Sequence, residues 1–153
     1  MILPENYTVE MADWGRDKAA LSSLRHAVFV LEQKVPPEIE IDELDPLSSH
    51  AIARDSSGTV IGTGRLIPPS RAGELPRIGR MAVARGWRRA GVGGAILKLL
   101  CDEAQRQGFR EVTLHSQTHA SAFYFRHGFL SHGAEFNEAG IPHQEMRKTL
   151  PAA

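Results

Sequence analysis

The stretch Arg88-Arg89-Ala90-Gly91-Val92-Gly93-Gly94 decides the fold, because it joins an apolar run typical of a strand, residues 78–83, to an amphipathic helical segment that begins at Val92. Glycines at the start of a helix let backbone N–H groups approach an anion without a Cβ in the way. The helix dipole adds roughly half a positive charge there, and arginine supplies a cation. The stretch therefore predicts a binding site for a phosphate or diphosphate group.

Two common phosphate loops do not match this stretch. A P-loop ends in Gly-Lys followed by Ser or Thr, whereas Gly94 is followed by Ala95 and Ile96. The dinucleotide-binding fingerprint needs a third glycine three residues after its second, and that position holds Ile96. The remaining alternative is an ordinary strand-to-helix turn whose arginines are solvated.

A family pattern fits the stretch better. Arg88-x-x-Gly91-x-Gly93 resembles the Q/R-x-x-G-x-G/A loop with which the GNAT superfamily, the Gcn5-related N-acetyltransferases, binds the diphosphate of acyl-CoA. The preceding Arg80-Met81-Ala82-Val83 resembles the family's apolar strand end, and Ala120-Ser121-Ala122-Phe123-Tyr124-Phe125-Arg126-His127-Gly128-Phe129 resembles its A-x-x-F-Y-x-x-x-G-F helix and turn. Two motifs in this order are far more specific than either alone.

The resemblance implies an α/β (α+β) fold: a mixed, mostly antiparallel central sheet flanked by helices. With 153 residues the chain has the size of one domain, so residues 1–153 are expected to form a single acyl-CoA N-acyltransferase domain. Hydrophobic periodicity places strands at residues 7–11, 50–54, 59–67, 78–83 and 111–115, with a hairpin turn at Asp55-Ser56-Ser57-Gly58. A first helix is predicted after Asp17 as its N-cap, with Leu21, Leu24, Val28 and Leu31 along one apolar face, and a second over residues 91–107. A closing strand pair is predicted at 129–132 and 142–148, joined through residues 137–140.

Composition narrows the partners and the compartment. The 18 basic and 18 acidic residues balance, so no overall charge attracts the chain to nucleic acid or to an anionic membrane. The single cysteine cannot form an intramolecular disulfide, and the N-terminus lacks the pattern of a signal peptide. These features favour a cytoplasmic protein without nucleic-acid or membrane partners. The oligomeric state stays open, with a homodimer as one alternative.

The resemblance also assigns roles in the transfer of an acetyl group from acetyl-CoA to a primary amine, which belongs either to a small molecule or to a peptide, as a lysine or N-terminal amine. Tyr124 aligns with the tyrosine that acts as general acid toward the CoA sulfur in many GNAT enzymes. A phenol stays protonated at neutral pH and can donate. The alternative is a packed aromatic side chain. The predicted residues that bind the cosubstrate are Met81, Ala82, Val83, Arg88, Arg89, Ala90, Gly91, Val92, Gly93 and Gly94.

The acceptor amine must lose a proton before it attacks, and carboxylates or histidines near it could accept that proton. The candidates for binding the acceptor are Arg25, Phe29, Glu32, Glu40, Asp42, His119 and His143; Glu32, Glu40, Asp42, His119 and His143 are also candidate bases. Glu40 and Asp42 could instead bind a cationic amine. Arg65 is expected to form a structural ion pair, and no metal site is predicted, because His115 and His119 lack accompanying ligands.

A narrower likeness lies in the first third of the chain. Leu24-Arg25-x-x-Val28-Phe29-Val30-x-Glu32-Gln33-x-Val35-Pro36, followed by Glu40-x-Asp42-x-x-Asp45, resembles the ElaA/YjcF branch of the GNAT proteins. Two alternatives remain open. One is an acyltransferase similar to the acyl-homoserine-lactone synthases, which share the fold, and the other is a regulatory domain that binds CoA without transferring its acyl group.

Overall fold

The computed structural model describes residues 6–35 and 42–152, and within them eight strands form one mixed sheet. The strands are β1 (Tyr7–Met11), β2 (Ser49–Asp55), β3 (Val60–Ile67), β4 (Arg77–Val83), β5 (Glu111–Gln117), β6 (Leu130–Ser131), β7 (Phe136–Glu138) and β8 (Ile141–Thr149). Their order is β1-β2-β3-β4-β5-β8-β6, and β7 also pairs with β8. All pairs are antiparallel except β4 with β5. The predicted fold class is confirmed.

Helix α1 (Trp14–Arg25) begins earlier than the sequence indicated. Asp13 is its N-cap, because the Asp13 carboxylate accepts the N–H of Arg16 at 3.1 Å. The prediction of Asp17 as N-cap was wrong. Asp17 lies in the first turn, where it is buried and forms ion pairs with Arg16 and Arg54.

A π-helical segment (His26–Glu32) continues α1 and changes which side chains face the core. A π-helix advances more residues per turn than an α-helix, so the apolar spacing predicted for one long helix does not hold here. Val28 and Phe29 are buried in this segment, whereas Leu31, expected on the buried side, is 61% exposed.

Helix α2 (Val92–Arg106) packs across β2 and β3 with the buried side chains of Ile96 and Leu100. Two glycines of β3 make this close approach feasible: a Cβ on Gly62 would lie 2.7 Å from Ile96, and one on Gly64 would lie 2.9 Å from Leu100. Because side chains alternate along a strand, Arg65 faces the opposite side of the sheet, where α1 packs.

The C-terminal strands differ from the prediction. Phe129 belongs to the buried core rather than to a strand, and β6 has only two residues. The turn at Ala139 and Gly140 instead joins β8 to β7, a strand that the sequence did not indicate. Both turn residues have positive φ, as a two-residue hairpin turn requires. Alanine rarely adopts this conformation, which explains why the hairpin was missed.

The parallel strands β4 and β5 separate soon after they meet. They pair only at Arg77 with Thr113 and Ile78 with Leu114, so their carboxyl-terminal halves diverge. An extra residue in β4 relative to β3 forms a bulge at the same place, and Arg80 there has φ +51°. Ligands in α/β sheets commonly bind at the carboxyl ends of diverging parallel strands. The fold thus opens a slot beside the glycine-rich stretch.

Candidate active site

The stretch between β4 and α2 presents unpaired backbone amides. Gly91 is the N-cap of α2 with φ +87°, and no side chain caps the helix. The first intrahelical bond runs from the Ala95 N–H to the Gly91 carbonyl, which leaves the N–H groups of Val92, Gly93 and Gly94 without partners among the described residues. An anion placed there would meet several donors and the positive end of the helix dipole.

The two arginines of this stretch differ in their contacts. The guanidinium of Arg88 binds both carboxylate oxygens of Glu32 at 2.7 and 2.8 Å, and its Nε donates to the Val83 carbonyl. Arg88 therefore ties the loop to the π-helical segment. Arg89 is exposed, with φ +69°, and makes no ion pair with the described residues. The backbone amides and Arg89 are thus better placed than the Arg88 guanidinium to meet a diphosphate.

The end of β4 offers further donors to the slot. The backbone N–H of Ala84 donates to the Ile61 carbonyl of β3. Because successive backbone amides of a strand point to opposite neighbours, the N–H of Ala82 also points toward β3. The amides of Met81 and Val83 consequently turn toward the gap that β5 leaves. A carbonyl oxygen lying in this gap would find them as hydrogen-bond donors.

A cavity of about 420 Å³ lies where β4 and β5 diverge. Its volume is at the lower end of the range for small-molecule sites. The residues that line it are Phe29, Gln33, Val35, Asp42, Arg65, Arg77, Ile78, Gly79, Arg80, Met81, Leu114, His115, Gln117, His119, Ala120, Tyr124, Glu138, Ala139, Ile141 and His143. Gln117 on β5 donates to Gln33 at 2.9 Å, so a hydrogen bond spans the cavity from one side to the other.

Tyr124 lies on helix α3 (Ser121–Arg126) and lines the cavity. Phe123 and Phe129 pack edge-on against its ring, with centroids at 5.1 and 6.1 Å. Burial raises the pKa of Tyr124 to about 12. Its hydroxyl bonds to no described residue, so it is a protonated donor available to a ligand.

One group of charged residues is here called the arginine–aspartate wall: Asp42, Arg65 and Arg80 line the cavity, and the buried Arg25 and Asp45 lie behind them. Asp45 is buried and accepts from Arg25 and Arg65, each at 2.7 Å. Arg65 also binds both oxygens of Asp42, at 2.7 and 3.0 Å, and Arg80 lies 3.4 Å from one of them. The hydrogen bonds from Arg65 lower the pKa of Asp42 to about 2. The carboxylates and guanidinium groups of this wall are thus largely paired with one another.

The opposite side, here called the histidine wall, consists of Arg77, His115, Glu138 and His143. His143 Nδ1 lies 2.7 Å from the Ile141 carbonyl, which can only accept, so Nδ1 carries the proton and Nε2 of the neutral ring has the lone pair. Nε2 lies 3.8 Å from Glu138, whose other oxygen accepts from His115 at 2.9 Å. That hydrogen bond, with attraction from Arg77, holds the pKa of Glu138 below its usual value.

The structure brings together only part of the predicted acceptor site. Phe29, Asp42, His119 and His143 line the cavity. Arg25 does not: it is 1% exposed and pairs with Asp45. Glu32 is also absent from the lining, because it pairs with Arg88, and Glu40 lies outside the described residues. The expected structural ion pair of Arg65 is confirmed.

The sequence did not indicate several cavity residues: Gln33, Arg77, His115, Gln117 and Glu138. Glu138 was missed together with β7. The alternation of Phe136 and Glu138, repeated by Ile141 and His143 after a two-residue turn, could have placed these side chains on one hairpin. Phe136 stacks on the His143 ring at 5.9 Å and meets the His115 ring edge-on at 5.0 Å.

Cys101 faces the core, and burial raises the pKa of its thiol to about 11, so it is not a nucleophile at neutral pH. Among the described residues, no group of three or more His, Cys, Asp or Glu side chains could hold a metal ion. No helix in the same part of the chain is long and apolar enough to cross a membrane.

Comparisons with known proteins agree with this geometry. Residues 18–150 match the family described as Acetyltransferase (GNAT) domain. The chain is 43% identical over 126 residues to the uncharacterized N-acetyltransferase YjcF of Bacillus subtilis (strain 168), a match that covers 82% of this chain and 87% of YjcF.

Solved structures give the same result. The fold is similar to that of an acyl-CoA N-acyltransferase from Pseudomonas aeruginosa, with a TM-score of 0.80 and 31% identity over 93% of this chain and 97% of that one. Escherichia coli ElaA gives a TM-score of 0.83 and 25% identity over 93% of this chain and 99% of ElaA. The chain therefore belongs to the GNAT acetyltransferase family, in its ElaA/YjcF-like branch, and is an acyltransferase.

Proposed function

We propose that this protein transfers the acetyl group of acetyl-CoA to a primary amine by direct attack in a ternary complex. One observation carries the proposal: the unpaired amides at the start of α2 lie beside the short helix that bears Tyr124. A Cβ on Gly93 would lie 3.4 Å from Phe123, and the protonated Tyr124 next to Phe123 lines the cavity where β4 and β5 diverge. Acetyl-CoA would supply the acyl group as a thioester. The protein is expected to work in the cytoplasm, consistent with its single, buried cysteine.

The residues present fit this cosubstrate. The amides of Val92, Gly93 and Gly94, with exposed Arg89 beside them, suit a diphosphate. The amides of Met81 and Val83 would donate to the thioester oxygen, on which negative charge develops during attack. Acetyl-CoA is accommodated without any contact from the Arg88 guanidinium.

Each proton that the acceptor loses has a proposed destination. An acceptor that arrives as an ammonium loses one proton to solvent, and His143 Nε2 takes the second proton of the attacking nitrogen, directly or through water. The negative charge of Glu138 stabilises the resulting imidazolium, which then releases its proton to solvent. The amine nitrogen forms a bond to the carbonyl carbon as the carbon–sulfur bond breaks. Tyr124 donates its hydroxyl proton to the leaving sulfur and afterwards regains a proton from solvent.

Calorimetry with acetyl-CoA tests the cosubstrate site. Gly91→Glu places a carboxylate and a strained side chain where the diphosphate would lie, so we expect binding to be lost. Gly58→Glu is the matched control. Gly58 has φ +88° and lies in the turn between β2 and β3, where an added Cβ would meet no other atom within 4 Å. A glutamate at this position therefore has the same backbone strain but lies away from the slot. Equal affinity for both variants would contradict the proposed diphosphate site.

Release of free thiol in the presence of amines tests the acid. Tyr124→Phe keeps the ring but removes the donor, so we expect kcat to fall about 100-fold while the affinity for acetyl-CoA changes less than about threefold. Ser131→Ala is the control, because it removes an exposed hydroxyl outside the cavity lining and away from the glycine-rich stretch, and it should leave kcat unchanged. Unchanged turnover in Tyr124→Phe would remove Tyr124 from the mechanism.

A further inference from the structure

Arg77 is a charged cavity residue that has no role in the proposed mechanism. It lies at the start of β4, is partly exposed and lines the cavity. Arg65, by comparison, has two carboxylates within 2.7 Å. Arg77 has no hydrogen bond or ion pair within the described ranges, so its charge is available to a ligand. A guanidinium in this position suits a carboxylate, which it can bind through two parallel N–H donors.

Glu138 and His143 line the same cavity as Arg77, and together the three residues form a site for a molecule that carries one positive and one negative charge. Arg77 attracts Glu138 electrostatically, and Glu138 in turn lies 3.8 Å from His143 Nε2. The histidine wall thus presents a cation, a carboxylate and a proton acceptor along one side of the cavity. This arrangement complements an ammonium group and a carboxylate on the same small molecule.

The arginine–aspartate wall disfavours an acceptor that carries only positive charge. Asp42 is the carboxylate of that wall that lines the cavity, and Arg65 and Arg80 already contact both of its oxygens. A polyamine would therefore gain little attraction from Asp42 and would be repelled by the arginines around it.

We propose that the acceptor is a small amine that carries a carboxylate, as an amino acid does, and that Arg77 binds this carboxylate while the amine nitrogen lies between Glu138 and His143. The inference rests on the proposed function, since it names the substrate class of the same site. The cavity volume of about 420 Å³ suits an acceptor of this size.

Matched acceptors test the proposal. Each standard amino acid is compared with its own carboxamide, which keeps the amine and the side chain but loses the negative charge, and release of free thiol is followed. We expect the wild type to prefer the best amino acid over its carboxamide by about 10- to 100-fold in kcat/KM, the range for one charged hydrogen-bonded contact. Arg77→Ala should lose this preference through a raised KM for the amino acids, so that the ratio of kcat/KM between each amino acid and its carboxamide falls to about one.

Arg71→Ala is the control, because Arg71 is a surface arginine paired with Glu74 outside the cavity lining, and it should keep the preference. A wild type that uses carboxamides as well as amino acids, or an Arg77→Ala variant that keeps the preference, would overturn the proposal. So would a preference lost equally in both variants.

A binding measurement separates this proposal from the proposed function. N-acetyl amino acids, the expected products, are titrated into the CoA-saturated protein by calorimetry. Binding to the wild type that is lost in Arg77→Ala supports the carboxylate site even where no thiol is released, and in that case only the transfer reaction fails. Binding that is equal in the two proteins overturns the carboxylate site, whatever the turnover.

Discussion

The two walls of the cavity use similar charged groups in opposite ways. In the arginine–aspartate wall, each carboxylate accepts hydrogen bonds from guanidinium groups, and Asp45 is completely buried. In the histidine wall, Arg77 has no ion pair with a described residue, and His143 keeps a lone pair on Nε2. The first wall holds Asp42 and Asp45 against Arg65 of β3, and Asp45 also against Arg25 of α1, whereas the second retains hydrogen-bonding capacity for a ligand.

This difference separates structural from chemical roles among residues that look equivalent in the sequence. Arg25 and Arg77 are both arginines close to the site, yet Arg25 pairs with a buried aspartate and Arg77 borders the cavity. Charges that are mutually satisfied contribute to the fold, and their loss exposes an uncompensated partner. Groups that still have a free hydrogen-bond donor or acceptor can bind a ligand or transfer a proton. Substitutions in the two walls should therefore affect different measurements.

The largest effect is expected from Asp45→Asn. This change removes the buried negative charge that pairs with Arg25 and Arg65. Because two buried guanidinium groups then lose their shared partner, the free energy of unfolding should fall by about 3 to 5 kcal/mol. Urea denaturation measures the loss. Glu74→Gln breaks the exposed Arg71–Glu74 ion pair and should barely move the urea midpoint. Similar midpoints for the two variants would contradict a structural role for this wall.

His143→Asn tests the opposite wall. The asparagine amide nitrogen can still donate to the Ile141 carbonyl but cannot accept a proton from the amine, so we expect kcat to fall about 100-fold, equivalent to about 2.7 kcal/mol. The urea midpoint should change little. The exposed His132→Asn serves as control. A stable variant with wild-type kcat would exclude His143 as the base.

The smallest of these effects concerns Asp42 in acid. Its pKa is lowered from 3.8 to about 2 in the folded protein, so its ionised form stabilises the fold by about 2 kcal/mol above pH 4, and this contribution disappears as the pH falls through about 2. Urea denaturation of the wild type and Asp42→Asn at several pH values measures it. The difference between the two proteins should shrink with acidification, and a difference independent of pH would contradict the ion pairs with Arg65.

The sequence predicted the parts of this molecule that local patterns determine. The strand, glycine-rich stretch and helix from β4 to α2 follow directly from hydrophobic periodicity and turn residues, and the hairpin of β2 and β3 follows from its Asp-Ser-Ser-Gly turn. The start of α1 was misplaced because Asp13 and Asp17 both suit an N-cap. Asp17 instead accepts the N–H of Asp13 and forms ion pairs with Arg16 and with the distant Arg54.

The cavity walls were predicted less well because they depend on pairings across the chain. Asp45 and Arg25 are 20 residues apart, and Glu138 contacts His115 across 23. No periodic pattern reports such contacts. The prediction therefore included Arg25 and Glu32, whose charges are used inside the protein, and omitted Arg77 and Glu138, which border the cavity.

The central claim is that the slot between β4 and β5 brings the acyl thioester to Tyr124. A crystal structure of the protein with CoA tests it most directly. We predict the diphosphate on the amides of Val92, Gly93 and Gly94, and the CoA sulfur within hydrogen-bonding distance of the Tyr124 hydroxyl. A sulfur atom outside the cavity, or a diphosphate away from the start of α2, would contradict the account.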